Sequence, residues 1–459
     1  MYSLLIKNGT IVTHEAVMQA DIAVEGEKIA AIGEPGSLGP AEKTIDATGK
    51  LVMPGLIDPH AHTKQPCRDG SLSPGDFYDM SKAAAFGGNT MFIDFAIQWD
   101  KEKSLPETLA WRREDADPDV CVDYSLHVCP TISAHETVDA VQDVINAGVT
   151  SFKLYMTYSN QNRMSNDGVL IKMLEASEKY GSIVGVHAEN DAICLYNEAE
   201  FKDKGWTHTK YFPLCKGNIV EAEAVNRVLY LNRYVGGKVY IFHLTNKEAL
   251  DAVAEAQSRG QDVIAETCAH YLTLDDSYLA NDDGINYMCS PPLRSKEDVE
   301  SLWQGIRDGI VTIISSDHCG FSTEQKKLGN GNFMQTPNGL PSIEMRLSSI
   351  YTEGVLKNHI TLPQMVALLS TNAAKTFGVF PQKGILAPGS DADIIIVETE
   401  TEKLIKTGDP LYNTSNYTPF EGRKFRGFAE TTILRGEIIL DKGKFTGERG
   451  KGRFVARKP

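Results

Sequence analysis

The sequence has no uninterrupted hydrophobic run of about 18 residues, so it contains no candidate transmembrane helix. Its first nine residues, MYSLLIKNG, lack a basic segment and hold only a short apolar run. A secretory signal would need both a basic start and a longer apolar stretch. We therefore expect a cytoplasmic protein that makes no use of a membrane.

Positive charge is also scarce, because 46 Lys and Arg residues face 61 Asp and Glu residues, giving a net charge of −15. Nucleic-acid binders normally present a basic face. This balance argues against a nucleic-acid partner.

The eight cysteines include no C-x-x-C pair, so a zinc-thiolate site is not indicated. Scattered thiols in a long chain are typical of reduced packing residues. Any metal would have to be held by histidine and carboxylate groups. The cysteines are Cys67, Cys121, Cys129, Cys194, Cys215, Cys268, Cys289 and Cys319.

The pattern of apolar and turn-forming residues changes along the 459-residue chain. Residues 1–50 alternate short apolar strands with Gly and Asn turns, which predicts a small antiparallel sheet. The last part, 381–459, has the same texture, so both chain ends are predicted to complete one small β-sandwich domain, with residues 1–52 as its first part. Its tail, 447–459, is basic and glycine-rich, and we expect it on the surface or against a neighbouring subunit.

Residues 53–380 alternate apolar strands with amphipathic helical patterns such as 136–146, 220–231 and 362–377, which predicts parallel β/α units. Eight units favour a (β/α)8 TIM-like barrel, although a doubly wound open sheet permits the same alternation. The predicted strands are 51–57, 90–95, 124–128, 151–155, 183–187, 239–243, 263–267 and 312–316.

Polar side chains interrupt these strands at their carboxyl ends, the face on which barrel active sites are built. Each one has an ordinary explanation, since a strand-end histidine can be structural and an aspartate can cap the next helix. A lysine in a core strand needs a reason, because burying an unpaired ammonium is costly. Together they predict a metal site, made of His60, His62, Lys153, His187, His243 and Asp317.

Imidazole and carboxylate ligands suit Zn²⁺, and also Mn²⁺, Co²⁺ or Ni²⁺. Four histidines and an aspartate exceed what one tetrahedral ion needs, which indicates two ions. A bridging anion is then required, and Lys153 supplies one only if its amine reacts with CO₂ to form a carbamate.

At this point the sequence resembles the cyclic amidohydrolases, most closely their dihydropyrimidinase/hydantoinase branch. The resemblance covers essentially the whole chain. It is carried by GLIDPHAH (55–62), AAAFGGNT (83–90), SFKLYMTY (151–158), VHAEN (186–190), ETCAHY (266–271), SPPLR (290–294), SDHCG (316–320), PNG (337–339), NAAKTFG (372–378) and GKGRFV (450–455).

The resemblance implies the metal assignments. His60, His62, carboxylated Lys153 and Asp317 would hold one ion, and the same carbamate with His187 and His243 would hold a second. A hydroxide bridging the two ions would open a hydantoin or dihydropyrimidine ring to an N-carbamoyl amino acid.

Roles in catalysis and binding also follow from the resemblance. Asp317 would transfer the proton, Tyr158 would donate to the oxyanion, and Ser290 and Asn338 would bind the ring amide. From the residues alone, Tyr158 could equally be core packing, and Ser290 and Asn338 could be turn residues.

The loop after His62 departs from the branch, since it reads TKQPCRD (63–69) where hydantoinases are usually more apolar. Tyr155 stands where the pocket often has phenylalanine. Lys64 falls where dihydroorotases and allantoinases carry a carboxylate-reading arginine. We expect Lys64 and Arg68 to favour a polar or anionic substituent, although both could be solvated loop charges.

Two alternatives follow from the same family. One is ring opening of an anionic or polar ureide, as in allantoinases or dihydroorotases, which the segments around Tyr158, Ser290 and Asn338 disfavour. The other is a non-catalytic scaffold on the same fold, which the six filled ligand positions disfavour. Relatives suggest a homotetramer or homodimer.

Overall fold

The computed structural model describes residues 1–131, 140–408 and 412–459. Within these ranges no helix is both long and apolar enough to cross a membrane. Two sheets organise the described part of the fold, one of nine strands and one of eight. A two-stranded ribbon, β15 (Lys403–Leu404) and β16 (Lys424–Phe425), accompanies them.

The eight-stranded sheet is the predicted barrel. Every neighbouring pair of its strands is parallel. The first and last strands meet just past their ends, where Ala61 bridges His318 in parallel and the His62 N–H donates to the His318 carbonyl at 2.7 Å. The strands are β6 (Leu56–Asp58), β7 (Asn89–Ile97), β8 (Asp123–Cys129), β9 (Ser151–Tyr155), β10 (Ile183–His187), β11 (Lys238–Ile241), β12 (Val263–Cys268) and β13 (Val311–Ser315).

These strands read as near-continuous apolar runs because helices cover one face and the barrel interior fills the other. All nine residues of β7 are buried. The helices that follow the strands begin at side-chain caps: Asn166, Asn190, Asn246 and Ser295 each accept from a backbone N–H in the first turn. Strand ends and helix starts are thereby fixed at the same rim.

The α-helices in the described ranges are α1 (Phe77–Phe86), α2 (Leu105–Ala116), α3 (Val141–Asn146), α4 (Asp167–Tyr180), α5 (Asp191–Asp203), α6 (Phe212–Cys215), α7 (Asn218–Val235), α8 (Lys247–Ser258), α9 (Lys296–Arg307), α10 (Thr323–Lys327), α11 (Arg346–Ile350), α12 (Leu362–Val366) and α13 (Asn372–Thr376). The predicted helix 136–146 is present from Val141, and its first residues lie outside the described ranges. The predicted helix 362–377 is interrupted by a π-helical turn, Ala367–Thr371, between α12 and α13.

Both chain ends build the nine-stranded sheet, as predicted. Its strands are β1 (Tyr2–Val12), β2 (Val17–Glu25), β3 (Lys28–Gly33), β4 (Ala41–Asp46), β5 (Leu51–Pro54), β14 (Ile394–Glu398), β17 (Phe428–Leu434), β18 (Glu437–Asp441) and β19 (Lys444–Phe445). The ends join where β5 pairs antiparallel with β14. Most of its strand pairs are antiparallel, as predicted, and β1 in addition pairs in parallel with β4 and β5.

The predicted first barrel strand, 51–57, is in fact two strands in different sheets. Gly55 separates β5 from β6, and its N–H donates to Asp393 O at 2.8 Å. A Cβ at Gly55 would lie 2.1 Å from Thr90 Oγ1, so the chain passes from one sheet to the other where a side chain cannot fit.

The C-terminal tail is not a free surface segment. Val455 N–H donates to Tyr124 O at 2.7 Å, and the buried Arg457 side chain donates to Ser125 Oγ at 2.9 Å and Ser151 Oγ at 2.8 Å. These partners lie at the amino ends of β8 and β9. The tail therefore closes the barrel floor, opposite the rim that carries the polar groups.

We expect Gly55→Ala to destabilise the protein by about 1–3 kcal/mol, because the new methyl group overpacks against Thr90. Urea unfolding would measure the change. Gly39→Ala is the matched control, since the nearest atom to its Cβ is Tyr2 Cε2 at 3.9 Å, and should change stability by no more than about 0.5 kcal/mol. Equal stability of the two variants would contradict the close approach at Gly55.

Candidate active site

The structure brings the six predicted metal ligands together at the carboxyl ends of the barrel strands. Lys153 Nζ lies 3.0 Å and His62 Nε2 lies 3.2 Å from His60 Nε2. Asp317 Oδ1 lies 2.9 Å from His60 Nε2 and 3.3 Å from His62 Nε2. The ring centroids of His187 and His243 are 4.6 Å apart, and that of His243 is 5.5 Å from that of His60.

Three residues of the site adopt an uncommon backbone conformation. Tyr158, His243 and Asp317 have φ angles of 68°, 40° and 43°, in the left-handed region that non-glycine residues rarely adopt. Such strain persists only where the surrounding structure enforces it, and it concentrates at functional sites.

The donor atoms fit a metal. His60, His62 and Asp317 each offer an atom within 4.8 Å of the others. Two imidazole nitrogens on one tetrahedral zinc ion lie about 3.3 Å apart, close to the separation found between His60 and His62. Both ring nitrogens of His243 are buried and have no hydrogen-bond partner among the described residues. A metal ion would provide one of these nitrogens with a partner.

The protonation states of His243 and Lys153 also suit metal binding. Burial lowers the pKa of His243 well below its usual value, and the neighbouring His187 lowers it further. Burial likewise lowers the pKa of the Lys153 ammonium, although the Asp317 carboxylate opposes this. Neutral imidazole is the ligating form of histidine, and a neutral amine is the form of lysine that reacts with CO₂.

Glu266 holds the first histidine in place, a role that the sequence analysis missed. Its fully buried carboxylate accepts hydrogen bonds from His60 Nδ1 at 2.8 Å, from the Tyr240 hydroxyl at 2.6 Å and from the backbone N–H of His243 at 3.2 Å. Bonding to Nδ1 directs His60 Nε2 at the centre of the site. A charged residue inside the predicted strand 263–267 was the available signal.

Glu189 plays a similar part on the other side, where its carboxylate accepts from His187 Nε2 at 2.7 Å, Lys216 Nζ at 2.8 Å and Ser290 Oγ at 3.0 Å. The Lys216 ammonium and the hydrogen bond from His187 hold the pKa of Glu189 well below its usual range despite its burial. Because Ser290 spends its hydroxyl on Glu189, its backbone is what remains for a ligand.

A cavity of about 570 Å³ opens onto this centre. The predicted substrate residues Tyr155, Tyr158, Ser290 and Asn338 all line it. Burial raises the pKa of the Tyr158 hydroxyl, which keeps it protonated and able to donate.

Lys326 supports the two loops that carry Ser290 and Asn338. The sequence analysis also missed this role. This buried ammonium donates to Met288 O and to Pro337 O, each at 2.8 Å, just before Ser290 and Asn338. Burial lowers its pKa to about 7.

The structure does not bring Lys64 into this cavity. Its ammonium lies 2.5 Å from Asp115 Oδ1, and it lines a separate cavity of about 450 Å³ with Trp99 and Trp111. Arg68, predicted with it, does line the main cavity.

Comparison with known proteins decides the family. The amidohydrolase family model matches residues 51–439. The chain belongs to the amidohydrolase family. It is 41% identical to a D-hydantoinase of Ralstonia pickettii and 40% identical to one of Rhizobium radiobacter, in each case over 99% of both chains.

A crystal structure of dihydropyrimidinase from Brevibacillus agri NCHU1002 is 36% identical and superposes with a TM-score of 0.96, covering 100% of this chain and 99% of that one. The chain is thus a cyclic amidohydrolase of the hydantoinase branch, with the predicted (β/α)8 barrel.

Glu266→Gln should weaken metal retention by about 10–100-fold, because a neutral amide no longer fixes the His60 ring as a carboxylate does. Metal content after dialysis against a graded chelator would measure this. Glu255→Gln, on the exposed face of α8, is the control. Unchanged retention in Glu266→Gln would contradict the positioning role.

Proposed function

We propose that this protein hydrolyses the cyclic amide bond of a hydantoin or 5,6-dihydropyrimidine and releases an N-carbamoyl amino acid. The observation that supports this most is the convergence of His60, His62, Lys153 and Asp317 on one point at the bottom of the Tyr158-lined cavity. Metal-capable groups and amide-recognising groups then face the same space.

We propose two divalent ions as cofactors, with Zn²⁺ favoured by the imidazole-rich donor set and Mn²⁺, Co²⁺ or Ni²⁺ as alternatives. Lys153, carboxylated on Nζ, would bridge them. His60, His62 and Asp317 would complete one ion, and His187 and His243 the other. Bound ions would supply an activated water and polarise the amide carbonyl.

Carboxylation of Lys153 is supported by its surroundings. The amine is 1% exposed and has the rings of Phe242 and Phe95 at 4.2 Å and 4.7 Å. Its one hydrogen-bonding neighbour among the described residues is His60 Nε2. Reaction of the neutral amine with CO₂ releases a proton and turns the group into the anion that the cluster of imidazoles requires.

The remaining steps belong to the side chains. The Asp317 carboxylate accepts a proton from the attacking water and delivers one to the ring nitrogen as the C–N bond breaks. The Tyr158 hydroxyl donates to the oxygen of the former carbonyl as charge develops on it. Backbone groups of Ser290 and Asn338, held from behind by Glu189 and Lys326, bind the ring amide.

We also propose a cellular location and an oligomeric state. All eight cysteines are free and buried, which suits a reducing cytoplasm. A homotetramer or homodimer is in keeping with exposed apolar side chains on α6 and α7, such as Leu214 and Tyr230, 63% and 60% exposed. The domain limits 1–52, 53–380 and 381–459 stay a prediction.

The function is tested by a ring-opening assay on dihydrouracil, hydantoin, allantoin and dihydroorotate, with Zn²⁺ or Mn²⁺ and bicarbonate present. We expect kcat/KM for hydantoin or dihydrouracil to exceed that for the other two by about tenfold or more, because buried polar groups discriminate strongly between ring shapes. Faster opening of allantoin or dihydroorotate would favour the alternative ureide hydrolase.

Lys153→Ala should lower kcat by at least about a thousandfold, since it removes the bridging anion and with it several kcal/mol of transition-state stabilisation. Metal analysis and the hydantoin assay would measure the loss. Lys172→Ala, which removes a solvent-exposed lysine of α4, is the control. Wild-type turnover in Lys153→Ala would refute the bridged two-metal mechanism.

A further inference from the structure

We infer that the cavity selects rings bearing an anionic substituent, and that the Arg163 guanidinium, assisted by Arg68, reads that charge. The inference rests on the proposed ring-opening function. Both arginines line the cavity that contains the metal-site residues.

Arg163 is held in place at the cavity wall. The backbone N–H of Arg163 donates to Tyr158 O at 3.2 Å, and the next residue, Met164, forms a parallel β-bridge with Tyr155. Its guanidinium carbon lies 4.3 Å from the centroid of Trp99, an arrangement that orients a planar cation without neutralising it. The backbone that carries two predicted substrate residues therefore also carries this cation.

The charge of Arg163 is uncompensated within the described part of the chain. It forms no ion pair there within 4.0 Å, and its buried Nε has no hydrogen-bond partner. Among the described residues, the Arg68 side chain forms no ion pair within 4.0 Å and one hydrogen bond, to the Met334 carbonyl at 3.5 Å. A half-buried cation without a partner is costly, and a ligand carboxylate would offset that cost.

Apart from the metal-site residues, the charged groups Lys216, Asp191 and Glu198 also line the cavity. Lys216 is paired with Glu189 at 2.8 Å, and Asp191 accepts from the hydroxyls of Ser159 and Thr157. Glu198 lies on α5 near Lys216; burial raises its pKa, and the Lys216 charge opposes that rise. The two arginines are the cations left for a ligand.

Arg163 also lies within electrostatic range of the substrate residues. Burial raises the pKa of the Tyr155 and Tyr158 hydroxyls, and the Arg163 charge opposes both rises. The sequence pattern assigned this reading to Lys64 and Arg68. Because Asp115 occupies Lys64, the structure assigns it to Arg163 with Arg68.

The test compares 5-(2-carboxyethyl)hydantoin with its neutral, similarly shaped amide, 5-(2-carbamoylethyl)hydantoin, and with unsubstituted hydantoin. Metal-loaded wild type should prefer the carboxylate to the amide by about tenfold in kcat/KM. Arg163→Gln should reduce that preference by about tenfold to a hundredfold, mainly through KM, because it removes one charge-assisted contact. Unsubstituted hydantoin should stay within about threefold of wild type.

Controls separate charge reading from structure. Arg163→Lys should retain part of the preference, and Arg68→Gln should lower it less than Arg163→Gln does. Arg227→Gln removes a surface cation of α7 that pairs with Asp167 and should leave the preference unchanged. In wild type, added salt should lower kcat/KM for the carboxylate compound more than for the amide compound. This readout does not depend on any variant folding.

Calorimetric binding of the carboxylate and amide compounds separates the two hypotheses. If no hydantoin is opened but the carboxylate binds more tightly in an Arg163-dependent way, the proposed function fails and this inference stands. If unsubstituted hydantoin is opened but wild type does not favour the carboxylate, or Arg163→Gln affects all three compounds equally, the inference is overturned.

Discussion

The placement of Lys153 beside His60, in a fully buried ring of aromatic side chains, is the constraint on which the rest of the site depends. A lysine nitrogen 3.0 Å from an imidazole nitrogen is stable in this buried position only if at least one of the two groups is uncharged. Burial favours the neutral amine, and Glu266 fixes the imidazole from behind. This geometry supports the proposal that Lys153 is carboxylated and that divalent ions bind beside it.

The barrel makes this constraint possible. Five of the eight parallel strands bring the six polar residues to a common rim, while the strands pack apolar side chains elsewhere. The β-domain and the tail hold that rim indirectly: Gly55 binds Asp393 at the sheet crossing, and Arg457 ties β8 to β9 from the opposite end. Fold stability and site geometry are thus coupled through a few close approaches at the base.

The barrel strands and the convergence of the polar residues on one site could be predicted because each is recorded locally, as an apolar run interrupted or followed by a polar residue. What could not be predicted depends on distant partners. The break at Gly55 requires Thr90, the withdrawal of Lys64 requires Asp115, and the brace of Lys326 requires carbonyls on two other loops. A lysine or glycine in a loop has no local feature that names its partner.

The chemistry and the selectivity of this protein lie in different parts of the chain. The ligands occupy strand ends, where a shift of an ångström would abolish the site, so their residue types are restricted. Arg68 and Arg163 occupy the loops beyond, where a cation can face the cavity without disturbing the ligands. Under the proposed function, one metal centre can then serve different ring substituents, because the charge at the cavity wall discriminates among them.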